Sequence, residues 1–475
     1  MISISIIKEF VEVVGEENVL HRREDVLVYD HDAFTIVKGE AAAAVLPASS
    51  EEIAKVVKIC NIHNLPFLAR GAGTSLSGGS IPLENCILII LTKMNHILEV
   101  DYDNGTVLVE AGVTNLSVSE SVSVANMMYA PDPSSQQVCT IGGNIAHNSG
   151  GPHTLKYGVT TNHVLSAEVI LPNGEIIEIG SKAQNNLGYD LLGLIIGSDG
   201  TLGIVTKALL RILPKPQAIR TFMVVFDDVR DASNTVSELI SSGTIPAAIE
   251  MMDNLVVRAV EDSIHSAGYP KDAMAVLLVD IDGRLDDINY HSNRFEEICV
   301  KNKAREVKIA KNENERKKFW EGRKGAFAAM GRLGTNYIVQ DGVIPRTKLP
   351  EVLEKVYEIS QRHQLMIANV FHAGDGNLHP LIIFESTKEG DTEKAIKASL
   401  ETLKICADVG GSITGEHGIG VEKRDFMGLI FSNDDLEMMN IIKDVFDPEM
   451  MCNPCKALPA GSRCMEILPG VEVPS

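Results

Sequence analysis

The side chains of this chain best equipped for chemistry are histidines and a carboxylate set in nearly bare backbone. The stretch Asn369-Val370-Phe371-His372-Ala373-Gly374-Asp375-Gly376-Asn377-Leu378-His379-Pro380 carries two imidazoles on either side of an Asp-Gly pair. Apolar flanks predict a hairpin with Asp375 and Gly376 as its two-residue turn. Counting outward, Gly374 pairs with Asn377 and His372 stands opposite His379, on one face with side chains about 5 Å apart, a separation that two metal-ligating imidazoles can use. Two such histidines are more often a cross-strand polar pair, so a metal reading needs further support. Gly415-Glu416-His417-Gly418-Ile419-Gly420 sets an acid beside an imidazole in a glycine loop and is the third candidate.

A different chemistry is suggested by Arg70 to Ser80, which reads R-G-A-G-T-S-L-S-G-G-S. Glycine at this density lets successive backbone N–H groups turn inward and wrap an anion such as a pyrophosphate. It is not a dinucleotide fingerprint. Leu76 stands where the third glycine would seat a helix, and the apolar run Cys86 to Leu91 that follows suits a buried strand. No lysine–serine or lysine–threonine pair makes it a triphosphatase loop. Alone, the loop reads more readily as a surface turn. A second stripped stretch, Ala130 to Gly151, changes that weighing, and a third, Gly197 to Thr206, runs directly into a strand ending near Pro214 and Pro216.

The chain is long enough for at least two cores. Its 43 Lys and Arg against 64 Asp and Glu give a formal charge of −21, which argues against nucleic acid or an anionic membrane surface as a partner. The N-terminus lacks the basic lead and cleavage end of a signal peptide, and no apolar run approaches membrane-spanning length, so a cytoplasmic protein is expected. Scattered cysteines in a large apolar chain read as reduced thiols.

The elements that must carry these loops are readable in turn. Ser49 begins a capping box with Glu52 for a helix whose Ile53, Val56, Val57 and Cys60 mark one face, ending near Asn64-Leu65-Pro66. Phe67 to Ala69 and Thr106 to Glu110 read as strands, and Ala167 to Ile179 as a hairpin turning on Asn173-Gly174. Past the prolines, strands (Thr221 to Phe226, Met274 to Ile281) alternate with helices (Asp231 to Ile240, Asp286 to Lys301), predicting an α+β domain with helices on one face of an antiparallel sheet. A charged helix, Asn312 to Met330, holds Trp320, Arg323 and Lys324; basic pairs on helices are mostly solvated.

Taken together, the first two glycine stretches resemble the flavin-binding domain of the vanillyl-alcohol-oxidase superfamily. Within it they look most like the glycolate oxidase large subunit and D-lactate dehydrogenase branch. The resemblance extends from about Ser49 to Lys456 and implies an α+β fold: a two-lobed FAD-binding domain over residues 1–216, an antiparallel-sheet substrate or cap domain over 217–425, and a C-terminal segment, 426–475, returning to the flavin. It implies that FAD is held by Arg70, Gly71, Ala72, Gly73, Thr74, Ser75, Gly78 and Gly79 of the first loop. From the second stretch it implies Pro131, Asp132, Ser134, Thr140, Gly142, Gly143, Asn144, Asn148, Ser149, Gly150 and Gly151, followed by Tyr157 and Gly158. Gly203, Ile204, Val205, Glu416 and Asn453 complete that set. Covalently flavinylated members carry a histidine inside the first loop, where this chain has Thr74 and Ser75, so non-covalent FAD is expected. Asp199 stands where the family usually has glutamate.

By the same resemblance His372, His379 and Glu416 bind a divalent metal, most often zinc, His417 is the base, and Arg323, in a W-x-x-R pattern, holds a substrate carboxylate. The chemistry is coherent. Imidazole ordinarily titrates near neutral, and a guanidinium meets a carboxylate bidentately. The expected activity is oxidation of a small D-2-hydroxy acid, D-lactate or glycolate; Pro380 and Leu381 are apolar where a 2-hydroxyglutarate branch tends to place asparagine. Electrons are expected to pass to an iron–sulfur subunit, an electron-transferring flavoprotein or a quinone. The tail matches as Asp447-Pro448 and Asn453-Pro454-Cys455-Lys456, with Cys455 replacing a glycine; Cys452, Cys455 and Cys464 are too few for an iron–sulfur cluster and read as reduced. A metal-dependent hydrolase using His372, His379 and Glu416 leaves the glycine-rich half unexplained. A non-catalytic electron-transfer flavoprotein leaves Glu416-His417 unexplained.

Overall fold

The computed structural model describes residues 2–83, 85–183 and 188–459. Its N-terminal half is built on two small sheets. In the first, Ala41–Val45, Cys86–Ile90 and Phe67–Arg70 run parallel, with Val19–Leu20 antiparallel on the edge. Cys86–Ile90 is buried throughout and is the strand expected after the first glycine loop. The covering helix, Ser50–Ile62, starts where Ser49 accepts from the Glu52 N–H, and it turns Ile53, Val56, Val57 and Cys60 fully inward. The Glu52 carboxylate reaches back to the Ala48 N–H and not to Ser49.

The second sheet is antiparallel, in the order Ile97–Asp101, Thr106–Glu110, Ile204–Arg211, Val164–Ile170, Ile176–Gly180. Its last two strands form the expected hairpin, but the loop is Pro172-Asn173-Gly174. The Leu171 N–H donates to Glu175 O and the Gly174 N–H to Leu171 O, with Gly174 at φ +81°, so the turn is one residue longer than a two-residue Asn-Gly turn.

The C-terminal half carries an antiparallel sheet of nine strands. Glu306–Ile309, Ala218–Phe226, Ala275–Gly283, Ala248–Asp253 and Met366–His372 follow one another; the last then pairs with both Asn377–Leu378 and Pro380–Phe384. Helices cover both faces of this sheet, which corrects the one-faced expectation. Along Ala218–Phe226, Phe222, Val224 and Phe226 pack with helices Val229–Ser241 and Leu285–Lys301, while Met223 and Val225 pack with Asn254–Glu261 and Glu313–Lys324. A strand apolar at successive positions has two faces to bury. The charged helix also breaks: it runs Glu313–Lys324, stops at Gly325 and resumes as Ala326–Ala329.

The chain then returns to the first half. Helix Asn433–Phe446 leads to Met451 O, which accepts from the Phe67 N–H, while the Asn453 N–H donates to Phe67 O. Cys60, Cys86, Cys139, Cys299, Cys406 and Cys452 are buried free thiols. Cys455 is disulfide-bonded, a correction to the reduced reading. Cys464 lies outside the described residues.

Candidate active site

The two glycine stretches meet. A side chain at Gly71 would strike Thr140 Oγ1 at 2.2 Å, so the first loop packs directly on the residue that caps helix Ile141–His147. Between them lies a cavity of about 720 Å³ walled by both stretches, by Gly203, Ile204 and Val205, and by Phe327, Tyr337, Val339, His379, Glu416 and His417. Arg70, Gly71, Ala72, Gly73, Thr74, Ser75, Gly79, Ser134, Thr140, Gly142, Gly143, Asn144 and Ser149 all line it. Such a wall of backbone N–H and small side chains suits an anionic dinucleotide.

Other expected residues stand behind this wall. Gly78 packs on Val421, and Pro131 O accepts from Asn115 Nδ2. Asp132 pairs with His153 at 2.8 Å, with Gly151 against its carbonyl, and the Tyr157 hydroxyl bonds Asp282. Asn148 accepts from the Thr161 N–H, and Gly158 packs on Asn162. Gly150 allows Glu416 close: a Cβ there would lie 2.8 Å from its Oε2. Asn453 Nδ2 donates to Gly79 O and Asp199 O, tying the tail to the first and third stretches.

The hairpin differs from its predicted register. His372 pairs with Asn377, and Asn369 with Pro380, because Ala373 to Gly376 form a four-residue turn. The slip is two residues, so parity survives and both imidazoles keep one face, on a diagonal. Their ring centroids are 5.0 Å apart. The glycine loop brings Glu416 Oε1 to 3.2 Å from His372 Nε2 and 3.4 Å from His379 Nε2. Ligand atoms about 2.1 Å from a tetrahedral ion are separated by about 3.4 Å. Both ring nitrogens of His379 are buried without a hydrogen-bond partner among the described residues, as is Nδ1 of His417. The donors therefore fit a small cation.

Two carboxylates that sequence reasoning missed hold this cluster. Glu250 is fully buried; Oε1 takes His372 Nδ1 at 2.6 Å and Oε2 takes Arg323 Nε at 2.7 Å. Asp341, equally buried, accepts from the backbone N–H groups of Gly415, Glu416 and His417 and lies 3.4 Å from Lys423 Nζ. The available signal was a lone acid in an apolar run, as in Ala247-Ala248-Ile249-Glu250-Met251-Met252. Arg323 is buried beside the cavity and does not line it; its Nη2 is 2.7 Å from Glu250 but off the hydrogen-bond axis, and so has no linear partner.

Charge follows packing. Burial opposes charge on His372, but Glu250 and Glu416 outweigh it and raise its pKa well above the histidine value. A cation bound there would take that proton's place. Burial opposes charge on Glu416 too, yet His372, His379 and His417 bring it down to about 2. Burial pushes His417 down to about 4, below the near-neutral value expected, and leaves a neutral imidazole.

Residues 215–457 match the family described as FAD linked oxidases, C-terminal domain, and residues 41–180 match the FAD binding domain. The chain is 42% identical over 462 residues to the glycolate oxidase subunit GlcD of Escherichia coli K12, covering 97% of this chain and 92% of that one. It is 36% identical to glycolate oxidase subunit GlcD of Bacillus subtilis, covering 98% of each. A D-lactate dehydrogenase of Anaerostipes hadrus is 33% identical, covering 90% and 92%. Among solved structures, p-cresol methylhydroxylase with substrate bound superposes at TM-score 0.81 and 18% identity, over 96% of each chain. The 4-ethylphenol oxidase of Gulosibacter chungangensis does so at 0.80 and 20%, over 96% and 97%. These last two likenesses concern the fold.

Proposed function

The chain belongs to the FAD-linked oxidase family, in the branch of the GlcD glycolate oxidase subunits and the D-lactate dehydrogenases, and on that footing we propose that it oxidises a small D-2-hydroxy acid, D-lactate or glycolate, to the 2-oxo acid. It is an α+β protein of the vanillyl-alcohol-oxidase superfamily, with a PCMH-type FAD-binding domain followed by an oxidase domain on a large antiparallel sheet. FAD is its cofactor, held non-covalently in the reading that Thr74 and Ser75 support. We divide it at residues 216 and 425, the first boundary resting on Pro214 and Pro216.

One observation carries the mechanism: His372, His379, Glu416 and His417 converge where the Gly415 to Gly420 loop meets the glycine-walled cavity. When bound, FAD supplies a two-electron hydride acceptor and a divalent cation, zinc first, supplies a Lewis acid. His372, His379 and Glu416 would hold that cation. His417, neutral and with Nδ1 unpartnered, takes the substrate hydroxyl proton as the α-hydrogen departs with its electron pair. Arg323 is the cation that attracts the substrate carboxylate from behind the cavity wall, its Nε fixed by Glu250 and its guanidinium carbon 5.8 Å from the Phe327 ring. Asp341 sets the loop that aims Glu416 and His417.

The electrons then leave to a partner, which the subunit naming of the GlcD relatives favours, as an iron–sulfur subunit or electron-transferring flavoprotein, or to a quinone. No helix among the described residues is long and apolar enough to cross a membrane. The test is an anaerobic absorbance spectrum before and after D-lactate, L-lactate, glycolate and D-2-hydroxyglutarate, with and without chelator. Chelator-sensitive bleaching by D-lactate or glycolate is expected. A yellow protein that no hydroxy acid bleaches would overturn the activity.

A further inference from the structure

The half-buried His147 and the buried Asp199 form a pair that the chemistry above leaves unused. Helix Ile141–His147 ends by placing the imidazole on the cavity wall, and Asp199, in the left-handed region at φ +53°, brings Oδ1 to 2.9 Å from Nδ1. The approach is off the hydrogen-bond axis, so attraction of charge and not a linear hydrogen bond defines the contact. Asp199 borders the same cavity, with its groups held by the protein: Oδ2 accepts from the Gly420 N–H, and its carbonyl accepts from Asn453 Nδ2. The Nε2 of His147 has no protein partner among the described residues.

We propose that His147 is the cation that the FAD cavity presents to the negative charge gained by the flavin ring on reduction, and that it thereby sets the cofactor's midpoint potential. The proposal rests on the FAD reading above. Hydride transfer gives the ring two electrons and one hydrogen, and the added charge gains from a nearby positive group in a low-dielectric wall.

Three observations assign the role to His147. It borders the reacting end of the cavity: a Cβ at Gly418, next to His417, would meet His147 Nδ1 at 2.5 Å. The other cations on the wall are committed or exposed; the Arg70 guanidinium donates to the carbonyls of Tyr29, Ser80 and His31, and Lys324 lies open. The surroundings favour charge on the ring. Burial lowers its pKa, but Asp199 and Asp32 outweigh burial and the opposing Lys423, and the pKa rises above the histidine value.

The test is a spectroelectrochemical titration of FAD-loaded wild type, His147→Gln and His147→Lys. Loss of the charge in His147→Gln should weaken binding of reduced relative to oxidised FAD about tenfold, moving the midpoint about 30 mV more negative. The lysine variant, which keeps the charge, should recover most of that shift, whereas a purely structural role would make the two alike. Equal potentials in all three, or a loss of FAD affinity equal in both redox states as for a pyrophosphate contact, would overturn the proposal and leave the function standing. Should His147→Gln fail to fold, His147→Asn takes its place. A wild type that takes up no FAD would remove the functional reading itself, and this inference with it.

Discussion

Glu250 and Arg323 meet at 2.7 Å with both side chains withdrawn from water, and the same carboxylate holds His372 Nδ1. One acid thus couples the residue proposed to steer substrate to one proposed to bind metal. Glu250→Gln leaves the Arg323 guanidinium buried beside a neutral amide. It should cost about 3 kcal/mol of stability and lower metal affinity 10- to 100-fold or so. Thermal unfolding and metal content after dialysis against graded chelator measure the two effects separately.

Asp341 is the acceptor for three consecutive N–H groups of the glycine loop that carries Glu416 and His417. Asp341→Asn turns one acceptor oxygen into a donor facing other donors. The expected result is a fall in kcat of about 100-fold, with FAD retained in its cavity. Unchanged kcat would separate the loop's geometry from its anchor.

His417→Ala should keep the yellow flavin spectrum and abolish bleaching by substrate. Anaerobic single-turnover spectra are the measurement. Full retention of bleaching would remove His417 from the proton-accepting role.

His153 pairs with Asp132 and stacks on Trp320, joining the FAD-binding half to helix Glu313–Lys324. Burial lowers its pKa, but Asp132, Asp280 and Asp282 outweigh this and raise it to about 9. The folded state therefore holds the proton after the unfolded chain has released it. The pair's stabilisation is complete below about pH 6.5 and is lost as pH climbs to about 9, a change of at most about 3 kcal/mol. Unfolding of wild type against His153→Gln from pH 6 to 10 should show the gap between them closing over that window; a constant gap would assign His153 a packing role.

How far the site was legible in the sequence is clearest at the His372 hairpin. Its residue types and the alternation of its strands placed both imidazoles on one face, and a slip of two residues could not undo that, because side chains alternate with period two. The turn length was not legible. Asp375-Gly376 suits a tight turn, but Gly376 is pressed against Ile344 O, where a Cβ would lie 2.2 Å away, so a neighbouring segment shapes the loop. The cover on both faces of the large sheet follows from apolar residues at successive positions of Ala218–Phe226, a pattern visible in the sequence.

The sequence by itself determined the inventory: bare glycine stretches able to approach an anion, imidazoles and a carboxylate able to hold a cation, and the caps and apolar runs of the elements carrying them. These depend on residue type and local spacing alone. Only the tertiary structure decided which charges face one another. Glu250 reaches His372 through the pairing of Ala248–Asp253 with Met366–His372, and Asp199 reaches His147 because the Asp199 N–H donates to Ala146 O. Burial then sets the consequence, since a carboxylate withdrawn from water is stable only beside the donors and cations that the fold brings to it.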